Sequence, residues 1–248
     1  MIAAAISLWK TTIRRPGVWT GIVWAVLFAL LWVVLVLATG QRALLTRTLH
    51  PATLATPAPA PTAGAAVSVL VMYVILLGVG PFWMAGMYGM YGRAIKGETV
   101  GFRTFWQMGR KFYGRGWGLL GYTMLYGIAL GLVAVGLIVG LKVAGEIVLG
   151  ALVLLSLPWV IRMTGRLFVD GETWGASFRG SFRGGHFWAL VGGILLAVVA
   201  YAIVYALFVL LGRVSIALAA VVYILFDMGI SVAGPLWAFA LYHAEANA

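Results

Sequence analysis

Residues 97–117 have the sequence GETVGFRTFWQMGRKFYGRGW and lie between two long apolar runs. Aromatic residues recur in this stretch at the spacing of one helical face, namely Phe102, Phe105, Trp106, Phe112 and Tyr113. The opposite face carries polar side chains, namely Arg103, Gln107, Arg110 and Lys111. A helix with one basic and one aromatic face is typical of a segment that lies in a membrane interface. The stretch therefore predicts an amphipathic interfacial helix.

The same motif returns in residues 171–188, which have the sequence GETWGASFRGSFRGGHFW. The positions shared by the two copies are Gly97, Glu98, Thr99 and Gly101 in the first and Gly171, Glu172, Thr173 and Gly175 in the second. We expect the first glycine of each copy to turn the chain out of the preceding helix. The glutamate and threonine would then favour the start of the next helix through its cap and dipole.

The composition is that of a membrane protein. The chain of 248 residues is 63% hydrophobic and 9% charged, whereas soluble domains carry about 25% charged residues. The net charge of +11 suggests nucleic acid only in a soluble chain, so we predict no nucleic-acid partner here. The chain has no cysteine, which excludes disulfides, thiolate metal sites and a cysteine nucleophile.

Six apolar runs are long enough to cross about 30 Å of hydrocarbon, at residues 17–39, 65–92, 116–141, 143–161, 187–211 and 214–241. The predicted fold is an all-α polytopic membrane protein with six transmembrane helices and two or three cytoplasmic amphipathic interfacial helices. We expect one membrane domain, residues 1–248, with an extracytoplasmic Ala/Pro-rich loop at 40–64. The first run is too long for a signal peptide.

The distribution of basic residues predicts the orientation. Of the 17 lysines and arginines, 13 fall on the side of the N-terminus and four on the other, namely Arg42, Arg47, Lys142 and Arg213. Because basic residues favour the cytoplasmic side, we expect both termini in the cytoplasm of a prokaryotic cell, as a multi-pass protein of its inner membrane. We also expect Gly212 and Arg213 to form a tight turn, and residues 242–248 to form a short tail.

Internal repeats are predicted, with units at about 1–92, 93–165 and 166–248. Each unit would contain an amphipathic helix, an outward span and a returning span. A proline closely followed by tryptophan occurs late in each returning span, at Pro81, Pro158 and Pro235. Repeats can form a transport pathway at their interface, but they are also a simple way to build a helical bundle, so both interpretations stay open.

Asp227 is the candidate intramembrane functional acid, because it lies in the middle of the sixth apolar run. A carboxylate at that depth is costly and is a functional hypothesis by default. The alternative is a structural role, in which the group is protonated or bonded to a Tyr or Ser of a neighbouring helix. Glu146, by contrast, is expected to be a solvated residue near the outer surface.

The basic faces are the candidate binding sites for lipid or protein, and they comprise Arg103, Arg110, Lys111, Arg115, Arg179 and Arg183. Anionic lipid is the first expected partner, since each such cation contributes about 1 kcal/mol near a charged membrane. The other interpretation is docking of an acidic cytoplasmic partner. Other membrane proteins, such as transporter subunits, are a further expected partner class.

No catalytic, cofactor or metal site is predicted. The three histidines lack metal-ligand spacing, and Asp170 with Glu172 supplies too few oxygens for a hard cation. The glycines indicate helix packing instead, at the pairs 127/131 and 136/140 and at Gly86, Gly89 and Gly92.

Residues 80–121, GPFWMAGMYGMYGRAIKGETVGFRTFWQMGRKFYGRGWGLLG, resemble the YesL-like family of bacterial integral membrane proteins. Residues 175–196, GASFRGSFRGGHFWALVGGILL, resemble YciC-like proteins and the membrane domain of some glycerophosphodiester phosphodiesterases. The likeness covers about residues 90–248. It implies a transport-accessory role, because YesL-like proteins are associated with carbohydrate uptake, and it implies no catalytic residues.

Two functions follow as hypotheses. The first is a non-catalytic accessory or scaffold protein of a transport or envelope system. The alternative is a transporter of small solutes or lipids that uses Asp227. An intramembrane enzyme ranks third.

Overall fold

The computed structural model describes residues 1–38, 63–214 and 216–248, and these ranges contain helices but no strand. We number the helices in chain order: α1 Ile2–Ile13, α2 Thr20–Ala38, α3 Ala63–Ile95, α4 Phe102–Lys111, α5 Tyr113–Leu141, α6 Val143–Gly165, α7 Trp174–Ser181, α8 Phe187–Val214 and α9 Ile216–Ala246. A 3₁₀ turn, Pro16–Trp19, follows α1, and a π-helical turn, Arg166–Asp170, extends α6. Each short helix (α1, α4 and α7) precedes two long ones.

Six described segments are long and apolar enough to cross a membrane, with mean hydropathies from 1.3 to 2.9. They are Pro16–Leu35, Val69–Ile95, Tyr113–Leu141, Val143–Asp170, Phe187–Leu211 and Leu225–Ala246. Helix α5 turns large apolar side chains outward, and Leu132 and Val139 are 72% and 77% exposed. Apolar surface of this extent on long helices is the pattern of a multi-pass membrane protein. Most of the predicted loop 40–64 lies outside the described residues.

The packed core lies at one end of the long helices. Its buried side chains come from the C-terminal parts of α3, α6 and α9 and from the N-terminal parts of α5 and α8. The short helices α1 and α4 contribute Ala5, Phe105 and Met108 to the same cluster. The amphipathic helices therefore lie at the end of the bundle where packing is tightest, while the other ends of the long helices are more open.

The structure corrects the predicted turn at Gly212 and Arg213 and the predicted C-terminal tail. Gly212 and Arg213 do not form a turn, because α8 continues through both residues to Val214. The predicted C-terminal tail is helical through Ala246, because its side chains continue the buried face of α9, with Tyr242 and Ala244 in the core. Lys142 forms the turn between α5 and α6, and its φ of 51° lies in the left-handed region.

The predictions of close packing at glycines are confirmed in α3 and wrong in α5. In α3, Gly86 faces the ring of Phe105 and Gly89 faces Met108, so the absence of side chains lets α4 lie directly on α3. The pairs 127/131 and 136/140 were expected to allow close packing, and within the described chain this is wrong. A Cβ atom added at any of these four positions would have no neighbour within 4 Å, because this part of α5 faces outward.

Candidate functional site

The repeated motif ends one helix before it starts the next. Gly97 and Gly171 adopt φ angles of 90° and 75° after α3 and after the π-helical turn. Just beyond each glycine, the amide of Glu98 donates to the carbonyl of Arg93 (3.1 Å), and the amide of Glu172 donates to that of Arg166 (2.9 Å). A left-handed glycine with such a returning hydrogen bond is a helix C-cap. The expected turning role of both glycines is confirmed.

The side chains of the two glutamates of the motif also form ion pairs with the preceding helical segment. Glu98 pairs with Arg93 at 3.5 Å, and Glu172 pairs with Arg166 at 3.1 Å. The expectation that these residues cap the following helix is therefore wrong for the first copy, where the N-cap of α4 is Gly101. In the second copy Thr173 is the N-cap residue of α7, but its side chain makes no capping hydrogen bond, and Gly175 lies in the first turn.

Arg115 differs from the other predicted basic residues because it is directed into the protein. Its guanidinium donates to the carbonyls of Leu167 (3.1 Å) and Gly171 (2.6 Å) and lies 4.3 Å from the centre of the Phe112 ring. These carbonyls belong to the end of the π-helical turn, where a cation offsets the helix dipole. Arg115 thus holds the start of α5 to the end of α6.

Helix α4 divides into a buried and an exposed face. Phe105, 1% exposed, stacks on Trp24 at 3.8 Å between ring centres. Phe102 and Trp106 are half-exposed, and the Arg110 guanidinium lies 5.3 Å from the Trp106 ring centre. The basic side chains of the helix are all exposed, namely Arg103, Arg110 and Lys111.

Helix α7 uses small residues where α4 uses aromatic ones. Ser177, Gly180 and Ser181 form its buried side, and Gly180 lies against the guanidinium of Arg166. Phe178 and the C-cap residue Phe182 remain 40% and 56% exposed. Arg179 and Arg183 are exposed as well. Five of the six predicted basic residues are therefore available to an external anion: Arg103, Arg110, Lys111, Arg179 and Arg183.

A buried ion pair lies next to Gly184, just after α7, and was missed in the sequence. Arg162 and Glu245 form an ion pair whose side chains are only 3% and 8% exposed. Beside it the Tyr242 hydroxyl donates to a carboxylate oxygen of Asp170. The available signal was that arginine and glutamate end two apolar runs on the same predicted side. Among the described residues, no group of three or more histidines and acids lies close enough together to hold a metal ion.

Asp227 lies on the outside of α9. Its side chain is exposed and forms no hydrogen bond or ion pair with any described residue, so neither the Tyr nor the Ser partner considered above is present there. Eleven residues separate it from the start of α9 at Ile216, about 16 Å at 1.5 Å per residue. Glu146 is also exposed, as expected for a residue near the end of the bundle.

Two cavities adjoin the short helices. One, of about 590 Å³, lies between α1, α8 and α9 and is lined by residues that include Trp9, Tyr201, Phe226 and Trp237. The other, of about 580 Å³, lies between α5 and α7 and is lined by residues that include Gly118, Tyr122, Trp174 and Phe178. Both linings are almost entirely apolar.

The six apolar helices are long and apolar enough to span a membrane, which is the pattern of an α-helical multi-pass membrane protein, and the cationic short helices lie at their packed end. The chain belongs to the family described as a domain of unknown function, DUF7847, which matches residues 7–246. No curated protein and no solved structure matches the chain.

Proposed function

We propose that this protein is a non-catalytic accessory or scaffold protein of a transport or envelope system. It binds anionic lipid or an acidic partner through α4 and α7. The observation that carries the proposal is that both helices pack one side into the core, while five cations on these helices or directly after α7 are exposed: Arg103, Arg110, Lys111, Arg179 and Arg183. An exposed cationic surface on a rigid support is suited to binding rather than to chemistry.

The exposed aromatic side chains support a location in the interface. Phe102 and Trp106 on α4, Phe178 on α7 and Phe182 at its C-cap lie beside the basic residues. Aromatic rings favour the headgroup level of a bilayer, where each neighbouring cation contributes about 1 kcal/mol toward anionic lipid. Such binding weakens at high ionic strength because salt screens exposed charges.

The cellular setting follows from the same features. The proposal places both termini, α4 and α7 on the cytoplasmic side of a prokaryotic inner membrane, where basic segments are favoured. The three successive groups of one short and two long helices support an origin by internal repetition. Trp83 and Trp237 add to this support, since each donates to a carbonyl of the long helix before its own, Trp24 and Gly193 respectively. The YesL-like resemblance supports a role beside a transporter.

Charge reversal tests the proposal. We expect the fourfold variant Arg110→Glu, Lys111→Glu, Arg179→Glu and Arg183→Glu to lose most bound phosphatidylglycerol or a co-purifying membrane protein. Native mass spectrometry in mild detergent measures both. Lys142→Glu is the matched control, because Lys142 is exposed and basic but lies at the α5–α6 turn. Unchanged lipid and protein binding in the fourfold variant would refute the proposal.

The alternative is a transporter of small solutes or lipids in which Asp227 lies on the pathway. It is favoured by the exposed carboxylate, which lacks a partner among the described residues and directly follows Phe226 in the wall of the larger cavity. Under this alternative Asp227→Asn abolishes flux in proteoliposomes while expression is maintained. Unchanged flux would remove Asp227 from any transport mechanism.

A further inference from the structure

We propose that the cavity between α1, α8 and α9 binds one acyl chain of an anionic phospholipid, with the headgroup held by Lys10 and Arg14. The site uses α1, which takes no part in the basic surfaces of α4 and α7. It is therefore a second, separate binding site.

The shape of the cavity fits an extended apolar chain. Its wall follows α9 from Leu225 to Trp237, twelve residues or about 18 Å of helix. The volume of about 590 Å³ lies within the range of ligand pockets, about 300–1,000 Å³. Gly229 and Gly234 leave part of the wall open, because a Cβ atom at either position would have no neighbour within 4 Å. The lining favours an apolar occupant that runs along α9.

The wall nearest α1 is fixed in place by hydrogen bonds within the protein. The indole nitrogen of Trp9 donates to the carbonyl of Ala233, and that of Trp237 donates to Gly193, each at 3.1 Å. The two rings meet edge to face at 6.3 Å between centres. Because both N–H groups are used internally, the rings present hydrocarbon to the cavity. The site is preformed, which lowers the entropic cost of binding.

The cations at one end of the cavity orient the ligand. Ile6, Trp9 and Ile13 of α1 line one end, and Lys10 and Arg14 lie on the adjoining face of that helix. Both cations are exposed, and neither pairs with an acid in the described part of the chain. An anionic headgroup is therefore attracted to the α1 end of the cavity.

Filling the cavity provides the first test. Full-length protein is purified with phosphatidylglycerol, washed in detergent and examined by native mass spectrometry. We expect one phosphatidylglycerol to remain bound, and Gly229→Leu or Gly234→Leu to reduce its occupancy at least tenfold. Gly136→Leu is the matched control, because Gly136 is an equally open helical glycine outside the cavity. The proposal would be overturned if the native protein retained no phosphatidylglycerol, or if all variants retained it equally.

Removing the cations provides the second test. We expect Lys10→Gln with Arg14→Gln to reduce the preference for phosphatidylglycerol over phosphatidylcholine about tenfold, while Lys96→Gln with Lys142→Gln preserves it. An unchanged preference would overturn the headgroup assignment. A dimer that forms in place of lipid binding and is lost in Gly229→Leu would assign the cavity to a second copy of the chain, and would also overturn the proposal. The fourfold variant of α4 and α7 should leave this lipid bound, which separates the two sites.

Discussion

The Arg162 Nε atom lies 2.9 Å from an Oε atom of Glu245, 83 residues later in the chain. The pair joins the end of α6 to the last turn of α9, and both side chains are almost fully buried. A buried charge is tolerated because its partner is present, so removing one partner leaves an uncompensated ion. This contact fixes the C-terminal turn against the packed end of the bundle.

We therefore expect Glu245→Gln to lower the free energy of unfolding by about 3–5 kcal/mol. The exposed pair Arg93–Glu98 supplies the control, because its side chains are 37% and 49% exposed. Glu98→Gln should change stability by less than about 1 kcal/mol. Thermal unfolding in mild detergent measures both variants. Equal, small effects would show that the Arg162–Glu245 pair does not stabilise the fold.

A second prediction concerns the close approach of α5 to α3. A Cβ atom at Gly116 would overlap the backbone carbonyl of Pro81, whereas one at Gly121 would meet nothing within 4 Å. We expect Gly116→Ala to destabilise the protein by about 1–3 kcal/mol or more, because backbone must move. Gly121→Ala on the same helix should be neutral or stabilise by about 0.5–1 kcal/mol. The thermal unfolding midpoints of the two variants test this prediction. A Gly116→Ala variant as stable as the native protein would contradict the close packing of α5 on α3.

A third prediction concerns the second copy of the repeated motif. Gly171 has a φ of 75°, a region that costs most residues about 1–2 kcal/mol. Gly171→Ala should lower stability by roughly that amount, and Gly171→Asn should lower it less, since asparagine tolerates this conformation. Thermal unfolding of the two variants tests the order. A Gly171→Asn variant less stable than Gly171→Ala would point to steric crowding instead.

The six apolar helices were predictable because long uninterrupted hydrophobic runs have few other structural outcomes. The ends of these helices were harder to predict from the sequence. Helix α3 extends to Ile95 and α9 to Ala246, since polar and small residues beyond the apolar runs are stabilised by packing at the core end. At Gly212 and Arg213 the error was different, because a glycine followed by an arginine suggested a turn, whereas both residues continue α8.

The basic surfaces were predictable in composition but not in detail. Helical periodicity identified Arg110 and Lys111 as outward-facing, but it does not indicate that Arg115 meets the carbonyl of Leu167 from another helix. Similarly, a spacing of four between Gly136 and Gly140 permits close packing without specifying a neighbour, and none lies there in the described chain. Contacts between distant segments depend on how the helices are arranged, which local patterns do not encode.

The most direct measurement of the central claim is the accessibility of single cysteines, introduced at Gln107 and at Ala144 in a chain that has none of its own. Both positions are exposed, Gln107 on the basic helix α4 and Ala144 near the α5–α6 turn. A membrane-impermeant maleimide should label Ala144→Cys in intact cells and Gln107→Cys only in inverted vesicles. Labelling of both cysteines from the same side of the membrane would contradict the account.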